Sequence, residues 1–239
     1  MPLIWTTTGE QADNGIKVCV HGASGAGKTK LIETAPSPVV GSAEGGTLSI
    51  AQAKIPMCNI ATLSDLMEFY NWCAGFAYAA GFRTVCLDSI TEIAERILGV
   101  EKLATKDPRK AYGEMMEKIA YQLRQFRDLP KLHVYFSCKS GLLEQPDASM
   151  MHFPIMPGKA TAQAMPYYFD EFLYLGVGSY DQPVPGQALP MRVTYRYLQT
   201  QRTLTIEAKD RSGALDEKEP PHLGQLFAKI AAHVSKQPG

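Results

Sequence analysis

Residues 21–29 read HGASGAGKT. Gly22, Gly27, Lys28 and Thr29 fit the spacing G-x-x-x-x-G-K-[ST] without a mismatch, with Ser24, Gly25 and Ala26 inside the loop. Glycines let a backbone wrap a phosphate, and the loop N–H groups and the following helix N-terminus supply positive potential. Lys28 would reach the β- and γ-phosphates, and Thr29 would hold Mg2+. ATP and Mg2+ are therefore the expected ligands, bound along residues 22–29.

Two carboxylates can complete such a site. TVCLD (84–88) is an apolar run closing on Asp88. That pattern puts Asp88 at the carboxyl end of a strand, where ligands of open α/β sheets bind and where it would support Mg2+. Asp88-Ser89 also precedes a helix, so a capping role stays open. Glu44 lies just past the second expected strand, on the same edge. A carboxylate there can polarise an attacking water, or be a solvated loop residue. FSCKS (136–140) closes a further strand, where Ser137 or Lys139 can sense the γ-phosphate or form a polar exit.

The elements that must hold these groups alternate. GIKVCVHG (15–22) reads as a buried strand, KTKLIETA (28–35) as a helix stopped by Pro36, and SPVVGSAEGG (37–46) as a strand with a glycine-rich exit. A helix is expected over 62–81, with Ser64 as cap and Gly81 as stop. RTVCLD (83–88) is a strand and 89–103 a helix capped by Ser89 or Thr91. KDPRKAYG (106–113) breaks the pattern. Met116, Ile119, Ala120, Leu123 and Phe126 then recur at helical spacing, and KLHVYFSC (131–138) is a strand. Strands alternating with helices imply a mostly parallel sheet covered on both faces. The last third changes: EFLYLGV (171–177), MRVTYRYL (191–198) and RTLTIEA (202–208) are strands without long helices between them. The last two are expected to form a hairpin through QTQ. A final helix, 222–235, lines up Leu223, Leu226, Phe227, Ile230 and Val234. The fold class is α/β, with antiparallel strands added at the end. Residues 1–14 are expected to be an N-terminal arm and 15–239 one ATPase domain.

Composition excludes several classes. The 239 residues carry 24 Lys/Arg against 24 Asp/Glu, so no global field draws the chain to nucleic acid or acidic membranes. Any basic site must be local. Five scattered cysteines show no metal-ligand spacing and read as free thiols in a reducing compartment. MPLIWTTTGE lacks the pattern of a signal peptide, and no apolar run approaches a membrane span, so a cytoplasmic protein without a membrane partner is expected.

The order of P-loop, glutamate, LDS, basic segment, long helix and polar strand end resembles the RecA-like recombinase core over about residues 15–210. LDSITEIAERI, YGEMMEKIAYQLRQF and LHVYFSCKS carry the likeness. The size and the closing AKDRSGALDE look more like the small phage RecA-like ATPases counted among single-strand annealing proteins, the Sak-type recombinases. KDRSG is similar to the K-x-R of RadA- and DnaB-type ring ATPases, where the pair reaches the γ-phosphate on a neighbouring subunit. The resemblance thus implies that Lys209 and Arg211 act in trans and that Glu44 orients water. It implies single-stranded DNA contacts in two segments. One is ATKDPRKAYG (104–113), with Lys106, Arg109, Lys110 and Tyr112; the other is roughly 139–160, ending at Lys159. Residues 101–131 hold eight Lys/Arg against five Asp/Glu, an excess that permits DNA binding without demanding it.

The resemblance departs in places. Ser137 and Cys138 stand where the bacterial recombinase has an Asn-Gln pair coupling nucleotide to DNA, and no F-x-x-A segment precedes the loop. LIWTTT can serve as an arm to a neighbour. The expected activity is DNA-stimulated ATP hydrolysis driving annealing or strand pairing, in a phage protein working in a bacterial host. Self-association into a ring or filament is expected, as is a single-strand-binding protein partner. The alternatives are a ring motor or helicase accessory, a small-molecule kinase and a nucleotide-dependent binding module.

Overall fold

The computed structural model describes residues 14–183 and 190–235; the expected arm and its LIWTTT segment lie outside them, Asn14 excepted. The strands are β1 (Lys17–Gly22), β2 (Pro38–Ser42), β3 (Met57–Asn59), β4 (Thr84–Asp88), β5 (His133–Glu144), β6 (Met150–Pro154), β7 (Glu171–Gln182), β8 (Met191–Gln199), β9 (Lys209–Asp210) and β10 (Lys218–Glu219). The helices are α1 (Lys28–Leu31), α2 (Leu63–Trp72), α3 (Ile90–Ala104), α4 (Pro108–Arg127), α5 (Lys159–Ala164) and α6 (Leu223–Val234).

One sheet runs β10-β8-β7-β1-β5-β4-β2-β3, with β6 paired to β5 and β9 to β7. β1 is central. Val18 faces Tyr135 on β5 and Glu171 on β7, both parallel. Because helices cover both faces, β1 and β4 are buried at every residue, which is why each reads as a continuous apolar run. On one face Cys19, Leu87, Phe136 and Phe172 pack with Phe69, Ile93, Met115 and Phe126 from α2, α3 and α4. On the other, Val18, Val20, Tyr135 and Leu175 pack with Leu31 of α1 and Leu226 and Phe227 of α6. The carboxyl ends of β1, β2, β4 and β5 thereby share one edge of the sheet.

The α/β class and the antiparallel additions match the expectation; several local readings do not. Thr62, not Ser64, caps α2: its side chain accepts from Asp65 N, and the Asp65 carboxylate returns to the Thr62 N–H. Asp107 caps α4, so Arg109, Lys110 and Tyr112 sit in its first turns instead of a loop. The buried stripe of α4 passes through Met115, and Met116 is exposed. Residues 139–160 are no simple loop. β5 continues to Glu144, returns as β6, and Lys159 opens α5. RTLTIEA is not a strand: only Ile206 bridges, to His152. The hairpin through QTQ does not form, because β8 spends its pairing on β7, from Tyr174↔Gln199 to Gln182↔Met191, and briefly on β10. Val234 is exposed at the end of α6.

Candidate functional site

The 22–29 loop leaves β1 and enters α1 through two left-handed glycines, Gly25 at φ +75° and Gly27 at φ +110°. Other residues rarely adopt these angles, so they account for the glycines within the motif. Lys28 Nζ folds back onto its own loop, donating to Gly22 O at 2.8 Å and Ala23 O at 2.9 Å. Burial pulls its pKa down, opposed by the negative charges of Glu44 and Asp88. The Tyr135 hydroxyl donates to Lys28 O at 2.8 Å and ties the start of α1 to β5.

Asp88 ends β4 at 2% exposure. It accepts from Thr29 Oγ1 on Oδ2 at 2.8 Å and from the Ser137 hydroxyl on Oδ1. Burial raises its pKa, and these two hydrogen bonds hold it back. Ser89 both caps α3 and donates to Glu44 Oε1 at 2.5 Å. Lys139 Nζ lies 3.1 Å from Glu92 and 3.5 Å from Glu95. Lys28, Thr29, Glu44, Asp88 and Lys139 all line one cavity of about 770 Å3. The loop, both carboxylates and Lys139 in the middle of β5 are thus brought together, and Ser137 stands just behind through Asp88.

Sequence reasoning missed three contributors. Ser89 orients Glu44. Thr91 Oγ1 accepts from Lys139 N at 3.0 Å and contacts Cys138 Sγ at 3.1 Å, fixing the middle of β5. Arg196 of β8 donates through Nε to Ala26 O at 2.7 Å and lines the same cavity. The S-x-T after Asp88 was legible as a helix start. Nothing in the spacing joins residue 196 to residue 26.

A family described as an AAA domain matches residues 14–212. The chain belongs to this AAA family. With an intact phosphate loop, this AAA domain is a P-loop ATPase. A solved structure described as a prototypical ATPase from the type III secretion system of pathogenic bacteria is similar at a TM-score of 0.45 and 11% identity. The match covers 70% of this chain and 54% of that one, so the AAA domain spans about half the length of that protein. No curated protein matches the chain.

Lys209 and Arg211 of the AAA domain are not at the cavity. Lys209 pairs with Phe172 at the opposite, amino-terminal end of β7, and its Nζ donates to Phe169 O at 2.7 Å and to Pro166 O. Arg211 lies 3.1 Å from Asp170, whose N–H donates to Lys17 O. From Lys17 to Gly22 the strand rises about 16 Å. The pair therefore sits far from its own loop.

The basic segments of the AAA domain do approach each other. Lys106, Arg109, Lys110, Tyr112 and Lys159 are all exposed. Lys102 Nζ stands 5.4 Å from the centre of the Tyr112 ring. A Cβ added at Gly158 would lie 3.5 Å from Tyr112 Cδ1, so Lys159 begins its helix beside that ring.

Proposed function

We propose that this AAA domain is a Sak-type recombinase ATPase that binds single-stranded DNA and promotes annealing or strand pairing, hydrolysing ATP at subunit interfaces in a ring or filament. The observation that carries the reading is the course of β5. The strand passes Ser137 and Lys139 at the nucleotide cavity and turns into β6, and the chain then reaches Lys159 beside Tyr112. One continuous segment joins the cavity to the basic, aromatic cluster. Cations there suit phosphates, and the tyrosine ring suits a base. With zero net charge to add long-range attraction, binding is moderate and falls with salt. A phage protein acting in the bacterial cytoplasm beside a single-strand-binding protein fits this role.

The residues divide the work. On ATP binding Lys28 exchanges its two carbonyls for β- and γ-phosphate oxygens. The Thr29 hydroxyl and the Asp88 carboxylate, adjacent hard oxygen donors, would hold Mg2+, which would supply charge neutralisation. Glu44, oriented by Ser89, accepts the proton of the attacking water. Lys209 and Arg211 of one chain stabilise charge at the γ-phosphate held by the next.

The test is ATPase activity with and without a single-stranded oligonucleotide, beside Lys28→Ala. The reading expects stimulation by DNA and loss of at least about a hundredfold in the variant. Hydrolysis indifferent to DNA, together with no oligonucleotide binding at low salt, sinks the recombinase reading.

A further inference from the structure

We infer that Arg196 is a second cationic arm of the nucleotide site, supplied by the same chain. Its Nε holds the phosphate loop in shape, and its terminal amino groups bind the triphosphate. The first half follows from peptide geometry. In a planar trans peptide the carbonyl and the next N–H point in opposite directions. Arg196 Nε takes Ala26 O at 2.7 Å, on the β8 side of the loop. The Gly27 N–H is thereby turned the other way, as a phosphate-binding loop requires. A swing of that peptide plane would lose both the Arg196 bond and the donor.

Arg196 also packs against Gly27. A Cβ at that position would lie 3.4 Å from Arg196 Nε and 3.5 Å from Cδ, in ordinary van der Waals contact with the side chain. The last glycine of the motif answers to its backbone, a φ of +110°, and the arginine packs against it. The base of the arm is firm. Leu198, two residues along on the same face of β8, is fully buried among Val18, Val20 and Leu175.

The second half follows from what the guanidinium leaves unused. Among the described residues Arg196 has no carboxylate partner, and its only hydrogen bond is the one from Nε. Arg196 lines the same cavity as Lys28 and Thr29. A planar fork can hold a loop carbonyl and a phosphate oxygen at once, which a lysine cannot do with the same geometry.

The experiment compares Arg196→Ala, Arg196→Gln and Arg196→Lys by equilibrium binding of a fluorescent ATP analogue, by ATPase kinetics and by thermal melting without nucleotide. Arg196→Ala and Arg196→Gln are expected to weaken ATP binding about ten- to a hundredfold, the worth of one or two charge-assisted hydrogen bonds. KM should rise with kcat changed less than about threefold, because the contact is made before the chemical step. Arg196→Lys should recover part of the affinity, and Arg196→Gln should melt like the parent. Unchanged ATP affinity in Arg196→Ala overturns the inference. A fall in melting temperature in Arg196→Gln that tracks its loss of affinity overturns the triphosphate contact, since holding the loop alone accounts for that pattern.

Discussion

Thr29 Oγ1 donates to Asp88 Oδ2 at 2.8 Å across 59 residues of chain, and the Ser137 hydroxyl occupies the other carboxylate oxygen. The start of α1, the end of β4 and the middle of β5 are therefore tied through one buried side chain. Burial pushes the Asp88 carboxyl above its usual range, and the two hydroxyls oppose that rise.

Asp88→Asn tests that balance. The amide keeps the shape and removes the charge, and both hydroxyls can rotate to suit it. Hydrolysis should fall by about a hundredfold or more, while the melting temperature does not drop. Steady-state ATPase assays and thermal melts in parallel check it. A variant that loses both would place Asp88 in the scaffold alone.

Glu44→Gln should separate binding from turnover. The Ser89 hydroxyl can still donate to the amide oxygen, and the base is gone. ATP affinity should stay within about threefold while kcat falls about a hundredfold. Ser89→Ala, which frees Glu44 to turn, should lower kcat about tenfold. Single-turnover hydrolysis beside equilibrium binding distinguishes these outcomes from a general loss of fold.

Between pH 4 and 8 stability should peak near pH 6.5. Burial raises the Glu171 carboxyl from 4.5 to about 8, with Asp210 adding to it. A raised folded pKa gives stability that is complete below the unfolded value and is lost as pH climbs through the folded one. Burial lowers His21 and His133 from 6.5 to about 4, so their contribution is complete above 6.5 and is lost as pH falls towards 4. Between 4.5 and 6.5 the two histidines outweigh the single carboxyl; between 6.5 and 8 Glu171 acts alone. Denaturant melts should show stability falling across that upper window by at most about 1.4 kcal/mol per pH unit. Glu171→Gln should turn the decline into a plateau.

Mixing Lys28→Ala with Arg211→Ala tests action between chains. Each variant alone should be inactive. A 1:1 mixture should recover roughly a quarter of the parent rate, the share of interfaces where an intact loop meets an intact arginine in a head-to-tail contact. ATPase rates across a titration of the two proteins provide the readout. A mixture as inactive as its parts would assign Arg211 to its Asp170 ion pair alone.

Much of the nucleotide site was legible because it is local. Residues 22–29 carry their own geometry, and Asp88 follows from an apolar run that can end only at the sheet edge. Glu44 followed from the same topology. The contacts that escaped cross the chain. Ala26 meets Arg196 across 170 residues, and alternation along β8 said only that it was a strand. RTLTIEA misled because its β-branched residues suit a strand, yet β7 had already taken the available edge of β8. The basic segment at 106–113 was read as a break in the pattern. Asp107 and Pro108 instead begin a helix.

The two ends of β1 give the molecule a polarity. The phosphate loop sits at one end, and Lys209 and Arg211 sit near the other. If that pair serves a neighbour, two chains facing each other across a two-fold axis cannot repeat the contact onward. An open row of chains then always carries one loop without a donor at one end and one idle cationic pair at the other. Activity per chain should climb with the length of such a row and level off, whereas a closed assembly would show full activity at once and none below its closing number.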